Sequence, residues 1–310
     1  MREWFRRGPR EPRQEPAADG QTGAEVTARP IPENLWTRCP SCKELNYSRE
    51  FEKCLKVCQK CGYHAPLSAR ERVALLADPE SFVEYDTGMT SGDPLGFQRP
   101  DKTYAQGLRE YQERTGEREA CIYGTATITG VPVVLCVFEF RFISGTMGSV
   151  VGEKVARAVE LAVKLRRPLI TVVASGGARM DEGLLSLMQM AKTAAAVARL
   201  HAAGVLYISI MCDPTLGGTT ASFASLADVI IAEPGADIGF AGRRPIEQIM
   251  RQKLPAKARR AETALERGMI DLVVPRAELR DTVSRLLLVY WVSNPAAAQP
   301  RRLEPVVALR

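Results

Sequence analysis

Histidine is nearly missing from this chain: its 310 residues hold two, His64 and His201. His64 lies beside a cysteine cluster, and His201 ends an alanine-rich helical stretch, where a solvated imidazole is favourable. No Gly-x-Ser-x-Gly elbow occurs either, so a serine hydrolase, which needs a base beside its nucleophile, has little support. Gly-x-Gly-x-x-Gly and Gly-x4-Gly-Lys-Ser/Thr are also absent, which removes the simplest dinucleotide and phosphate cradles. The apolar stretch 131–138 is far short of the ~18–20 residues that cross a bilayer, and the Arg-rich start has no apolar core of the secretory type. These absences lead us to expect a soluble, unexported, cytoplasmic chain without a membrane span. A net charge of +6 is too small on its own to argue for nucleic acid, although it permits acidic ligands. No internal repeat is present, and the length suits one large domain with a small appendage or two modest ones.

Residues 1–32 carry Pro, Gly, Ala, Arg and Glu without apolar periodicity, and such a segment cannot offset the entropy of being ordered. A disordered tail is expected there. Trp4 and Phe5 beside Arg2, Arg6 and Arg7 raise an amphipathic membrane anchor as the alternative, which Pro9 and Pro12 cut short. Residues 294–310, rich in Pro and Arg, are expected to form a second flexible tail.

Cysteine is abundant by contrast, with five of eight between Cys39 and Cys61. Without a secretion signal, this clustering points to a metal rather than to disulfides. Cys39-Pro40-Ser41-Cys42 and Cys58-Gln59-Lys60-Cys61 are two Cys-x2-Cys knuckles separated by fifteen residues, the spacing of a four-cysteine zinc ribbon. Each two-residue gap lets both thiolates of a knuckle reach one ion, and a hairpin returns the second pair to complete a tetrahedron. Four thiolates leave no open position for water, so the zinc is expected to be structural. Cys54 is read as a gap-filler rather than a fifth ligand. Basic residues around the knuckles exceed Glu44, Glu50 and Glu52 by three. A tetrathiolate zinc carries −2, leaving the ribbon a weak footprint for phosphate, so a ribbon that faces protein or covers substrate is favoured over a nucleic-acid module.

Residues 67–76 read as a short helix leading into a Gly- and Asp-rich connector at 87–101 that is expected to separate two units. From Cys121 onward, strand and helix patterns alternate. Strands are expected at 121–129 and 131–138, joined by a hairpin at Gly130, and at 169–174, 205–211, 229–232 and 270–274. Helices are expected at 149–166 and 184–200, with a last one ending near Tyr290. Apolar strands without polar alternation must hide both faces from water, which implies an α/β protein with a largely parallel, doubly covered sheet.

Two glycine pairs stand at strand ends in this scheme. Ser175-Gly176-Gly177-Ala178-Arg179-Met180 follows the strand 169–174, and Gly217-Gly218 follows 205–211. Ligands collect at carboxyl ends of strands in open α/β sheets. Glycine lets backbone amides converge on one oxygen, as in an oxyanion hole, with the following helix dipole in support. A plain strand-to-helix turn explains the same glycines equally well.

In order along the chain, the zinc ribbon after Ile31-Pro32-Glu33, Phe138-Glu139-Phe140, 147–153, 175–180, 186–193, Asp213-Pro214-Thr215, 239–242 and Ile246-Glu247-Gln248 form a set of matching blocks. With them, residues 34 to about 275 resemble the carboxyltransferase β-subunit family of bacterial acetyl-coenzyme A carboxylase. The resemblance implies a ClpP/crotonase-like domain of ββα units in a spiral at 66–293, preceded by the ribbon at 33–65 with Cys39, Cys42, Cys58 and Cys61 on zinc. It implies transfer of a carboxyl group from carboxybiotin, borne on a biotin carboxyl carrier protein, to acetyl-coenzyme A, giving malonyl-coenzyme A for fatty-acid synthesis. A carboxyltransferase α subunit is the implied partner, in an α2β2 assembly, with an ATP-using biotin carboxylase in the larger complex. Gly176 and Gly177 then match the amides that hold the enolate oxygen. Gly148, Ser149, Arg179, Gly217, Gly218, Gly239 and Gly242 become candidates for substrate binding. The chain departs from the family's pattern at Gly242-Arg243-Arg244-Pro245 and after Leu254-Pro255, where Ala256-Lys257-Ala258-Arg259 replaces an expected Gly-Phe. These changes enrich 243–267 in basic residues, a solvated helix face or a surface for coenzyme A phosphates. Two rival readings fit part of the sequence: a zinc-ribbon nucleic-acid binder, and a hydratase, which needs paired carboxylates in one pocket. Asp181 and Glu182, being adjacent, make a poor pair.

Overall fold

The computed structural model describes residues 35–255 and 257–293, and at 243–245 the backbone alone. Both expected tails lie outside the described residues. The chain enters through β1 (Trp36–Arg38), which pairs antiparallel with β2 (Leu45–Tyr47) ahead of α1 (Ser48–Lys53). The first knuckle occupies the β1–β2 turn. The second, after α1, is closed by Gly62 at φ +71, a left-handed position suited to glycine.

α2 (Ala69–Leu76) starts at a reciprocal capping box between Ser68 and Glu71. After β3 (Val83–Glu84), α3 (Tyr104–Thr115) is opened by a second box, Thr103 with Gln106, and stopped by Gly116 at φ +74. β4 (Cys121–Ile128) and β5 (Val131–Phe138) form the expected hairpin, with Thr129 and Gly130 both at positive φ, as a two-residue turn between twisted strands requires. Then come α4 (Ser149–Leu165), β6 (Leu169–Ser175), α5 (Leu184–Ala202), β7 (Tyr207–Leu216), the single turn α6 (Gly217–Thr220), β8 (Val229–Ala232) and β9 (Ile238–Gly239). α7 (Arg243–Met250), α8 (Ala261–Glu266), β10 (Leu272–Val273) and α9 (Leu279–Ser293) complete the order.

One sheet runs β10-β8-β7-β6-β5-β4-β3, with β9 attached to β7. It is parallel from β10 to β5 and antiparallel across β5-β4-β3. Alternation along β5 explains the unbroken apolar run in the sequence. Val134, Cys136 and Phe138 join Val151, Val155, Val159, Ala196 and Leu200 of α4 and α5 on one face. Val133, Leu135 and Val137 join Val73, Leu76, Val283 and Leu287 of α2 and α9 on the other. β5 therefore buries both sides, as the sequence requires of it.

The connector at 87–101 does not separate two units. Arg99 forks onto Asp181 at 2.6 Å and Ser91 donates to Glu119 at 2.5 Å, so the segment is tied to the turn before α5 and to the loop before β4. The ribbon likewise belongs to one compact unit with the sheet. Its seat is built on Arg276, fully buried, which donates to the Leu55 and Ala65 carbonyls at 2.6 and 2.9 Å and to Glu233 at 2.7 and 2.9 Å. Arg72 of α2 meets the same carboxylate at 2.5 and 2.8 Å. Burial alone would push Glu233 up, but the two guanidinium groups outweigh it and hold it well below the usual carboxylate range.

Asp78 organises the hairpin end. Its carboxylate accepts from Thr127 Oγ1, the Gly130 and Thr129 amides and Arg280, and these, the Thr127 hydroxyl first, pull its pKa from 3.8 to about 2. A depressed pKa means that its stabilisation is complete above the unfolded value and fades as the pH falls through about 2. The urea midpoints of wild type and Asp78→Asn are therefore expected to differ at neutral pH and to converge as the pH is lowered through that window. A gap that stays constant on acidification would refute the assignment.

Candidate active site

Four thiols define the metal centre. The Sγ atoms of Cys39 and Cys61 lie 3.8 Å apart, as do those of Cys42 and Cys58, and all four are within 4.8 Å of one another. A tetrahedron with ~2.3 Å zinc–sulfur bonds has edges of about 3.8 Å, so the donor set and its spacing fit zinc. Cys39 and Cys58 are buried while Cys61 is exposed. Cys54 stands outside the quartet, its sulfur accepting from Gln59 at 3.1 Å. His64 is no ligand: its ring contacts the Gly62 carbonyl and accepts from the Arg276 amide at 3.3 Å. Lys56, one of the ribbon's basic residues, is paired with Glu71 at 2.5 Å.

At the carboxyl ends of β6 and β7 the two glycine pairs meet. A Cβ on Gly177 would lie 3.2 Å from the Gly217 Cα, and one on Gly217 would lie 3.0 Å from the Gly177 Cα. Their φ angles are +108 and +62, so each turn needs glycine both for its backbone conformation and for this close approach. Gly218 packs against Met190 of α5. Gly239 stands beside the same place, since Leu216 is its register partner across β7 and β9. Gly242 caps α7.

Gly176 is exposed at this junction, and its amide donates to the Ser144 carbonyl at 2.8 Å. The Gly177 amide donates to Ser175 Oγ at 3.1 Å. Both expected oxyanion donors thus have internal partners in this conformation. The Ser144 carbonyl is presented by a one-turn segment in which Ile143, Ser144 and Gly145 stand at φ +44, +53 and +62.

Three other candidates for substrate binding, Arg179, Ser149 and Gly148, are engaged in contacts within the chain. Arg179 is wholly buried, its guanidinium held by Glu119 at 2.6 Å, Tyr104 at 3.0 Å and the Thr146 carbonyl at 2.9 Å. Burial would raise the Glu119 pKa, but Arg179 dominates and keeps it low. Ser149 gives its amide to Glu182 at 2.5 Å, and a Cβ on Gly148 would strike that same carboxylate. Glu182 thereby caps α4, a carboxylate placed at the positive end of a helix dipole. Asp181 is committed to Arg99. Neither acid of this neighbouring pair faces an open pocket as a proton donor, so a hydratase dyad is not assembled here. His201 sits at the far end of α5, its Nε2 3.7 Å from Asp228.

The sequence alone gave no hint of the Arg276–Glu233–Arg72 seat, nor of the network joining Tyr104, Glu119, Arg179 and Glu182. Their members lie 60 to 161 residues apart for the Arg179–Glu119 and Arg72–Glu233 pairs. Among the described residues no helix is long and apolar enough to cross a membrane.

Residues 65–276 match the carboxyl transferase domain family, and residues 36–61 match the acetyl-CoA carboxylase zinc finger domain. The chain is 52% identical over 277 residues to an acetyl-coenzyme A carboxylase carboxyl transferase subunit beta 2 of Roseiflexus sp. (strain RS-1), covering 89% of this chain and 91% of that protein. It is 50% identical to a carboxyl transferase subunit beta of Herpetosiphon aurantiacus, covering 90% and 92%. Among solved structures, transcarboxylase 12S with methylmalonyl-coenzyme A bound is similar at a TM-score of 0.61 and 25% identity, over 77% of this chain and 42% of that one. The chain thus spans less than half the length of that solved relative. The geranyl-CoA carboxylase beta subunit of P. aeruginosa shares the fold, with a TM-score of 0.58 at 20% identity.

Proposed function

The chain belongs to the acetyl-coenzyme A carboxylase carboxyl transferase subunit beta family, and on that premise we propose that it transfers a carboxyl group from carboxybiotin to acetyl-coenzyme A. The product is malonyl-coenzyme A. The partners are a carboxyltransferase α subunit, in an α2β2 assembly, and a biotin carboxyl carrier protein working with a biotin carboxylase. Carboxybiotin supplies both the carboxyl group and, after giving it up, the base that takes a methyl proton from the thioester.

With the base brought by the carrier, this chain's own task is to hold the thioester and stabilise the negative charge on its oxygen. The observation that carries the reading is the contact of two glycine turns from neighbouring parallel strands, at a strand end without a free acid–base pair. Backbone donors aimed at a developing enolate suit that division of labour. Gly176 and Gly177 are the proposed donors. For the Gly176 amide to reach the enolate, the Ser144 carbonyl has to share or yield its hydrogen bond, and the Gly177 amide exchanges the Ser175 hydroxyl for the substrate oxygen. The zinc ribbon is structural in this scheme and takes no step in the chemistry.

The test is conversion of malonyl-coenzyme A to acetyl-coenzyme A with free biocytin as acceptor, comparing this chain, the α subunit and their mixture. Turnover by the mixture alone is expected. A zinc-loaded, folded mixture that is inactive on acyl-coenzyme A substrates would overturn the proposal.

A further inference from the structure

Two hydroxyls stand beside the contact of the glycine turns. Ser175 is the last residue of β6, ahead of Gly176 and Gly177, and Thr219 lies in α6, behind Gly217 and Gly218. Both are wholly buried. Their oxygens are 2.9 Å apart, so one hydrogen bond ties the two turns together next to the place where Gly177 and Gly217 touch. The Ser175 oxygen also accepts the Gly177 amide at 3.1 Å.

The hydrogens of this pair do not all find partners. Each hydroxyl donates one and accepts up to two. One of the two hydrogens lies between the oxygens, and the other has no acceptor among the described residues. A buried donor without an acceptor is rare in a folded protein and marks a place where a ligand or a water completes the set. When Ser175 donates to Thr219, the idle hydrogen sits on Thr219. When Thr219 donates, it sits on Ser175, whose oxygen then accepts both from Thr219 and from the Gly177 amide. A negative oxygen selects the second arrangement. An oxygen that shares the Gly177 N–H lies within hydrogen-bond reach of the serine hydroxyl, and its charge draws that hydrogen while Thr219 turns its own onto Ser175.

We propose that Ser175 gives this hydrogen to the thioester oxygen as negative charge develops there, with Thr219 holding the Ser175 oxygen in the donating orientation. Ser175 is then a catalytic donor beside the Gly177 amide, and Thr219 a positioning residue that acts through it. This rests on the placement of the thioester at Gly177 proposed above. No bond to carbon forms, and the proton stays on Ser175 throughout. A serine that served merely as the resting acceptor of the Gly177 amide would act with the opposite sign. It would compete with the substrate oxygen, and its removal would speed turnover.

The experiment follows the malonyl-coenzyme A and biocytin reaction of the complex with the α subunit. It also records the infrared carbonyl band of acetyl-coenzyme A, isotope-labelled at the thioester carbon, bound to the same complex. Ser175→Ala is expected to lower kcat about 10²-fold, the low end for one oxyanion donor, with KM within about twofold. Thr219→Val, close in shape but without the hydroxyl, lowers kcat about fivefold, the worth of one neutral hydrogen bond. Thr219→Ser recovers most of that loss. The double variant is no slower than Ser175→Ala alone, since Thr219 acts through the serine. The carbonyl band, held at low wavenumber by its donors in wild type, moves up in Ser175→Ala and less in Thr219→Val. Where Ser175→Ala also lowers the melting temperature, Thr219→Val and its band decide. Unchanged or faster turnover with an unmoved band would overturn the proposal, leaving a resting acceptor or a bound water in its place and the carboxyltransferase reading intact. Losses that multiply in the double variant would overturn it as well, because they report two independent packing defects. If the wild-type mixture is inactive, the carboxyltransferase reading falls, and the band of bound acetyl-coenzyme A still decides for or against the donor. A mixture that does not bind acetyl-coenzyme A overturns both.

Discussion

Replacing Cys58 by serine is expected to release zinc and unfold the ribbon while the large sheet stays folded. The ribbon's own buried apolar cluster consists of Cys39, Phe51, Cys58 and Ala65, and two of these are ligands. A segment of this size lacks the apolar area to fold without a metal or other staple. A structural zinc contributes on the order of 10–16 kcal/mol in apparent binding, far more than so small a cluster supplies. The sheet's two apolar clusters are separate from the ribbon's, so they survive its loss. One cost does reach them: Arg276 loses the Leu55 and Ala65 carbonyls, and leaving buried donors unpaired costs about 1–3 kcal/mol each. Metal analysis should find no zinc, limited trypsin should cut at Lys53, Lys56 or Lys60, and the remaining fragment should melt cooperatively at a lower temperature. A zinc-free variant with an intact, protease-resistant ribbon would contradict this account.

Gly177→Val is expected to lower the rate of the α-subunit mixture by a factor of about 10²–10³, the usual worth of one oxyanion donor. Valine at φ +108 is strained, and its Cβ would press on Gly217 at 3.2 Å, so the two turns must part. Strain of this kind costs about 1–3 kcal/mol, less than the roughly 5–15 kcal/mol that keeps a domain folded. The variant should therefore fold and fail in turnover. Gly176→Ala is the companion measurement: its Cβ would meet neighbours only at 3.6 Å, so its stability should match wild type. Circular dichroism and steady-state rates separate the effects. Near-wild-type turnover of Gly177→Val would remove that amide from the mechanism.

Most of the sheet was legible because burial on both faces writes itself as an uninterrupted apolar run, as in β5 and β6. The metal centre was legible because four ligands within one short stretch encode their geometry in spacing alone. α3 escaped notice because it buries just Tyr104, Gly107 and Leu108 and exposes the rest of a polar sequence. Its start and stop were nonetheless written in Thr103, Gln106 and Gly116. β7 runs on through Asp213, Pro214 and Thr215, past the expected end of that strand at 211. Arg179 follows a ligand-like glycine turn, but its side chain crosses to Glu119, 60 residues away in the sequence, a contact that no local spacing announces. Of the candidate site, adjacency in sequence gave the glycine turns. Their mutual contact, and the Ser144 carbonyl that occupies the Gly176 amide, depend on packing between strands and could not be read along the chain.

The seat of the ribbon also sets an order of events during synthesis. All four thiolates lie within 22 positions of one another, so the metal centre can assemble as soon as that stretch has left the ribosome. The arginine that docks it is 221 residues downstream of Leu55, and the carboxylate that neutralises Arg72 follows it by 161. The nascent chain therefore carries Arg72 without its carboxylate until position 233 has been made, and a finished metal module without its docking arginine until position 276 has been made. Docking of the earliest element is among the last steps, a long-range closure that is intrinsically slow.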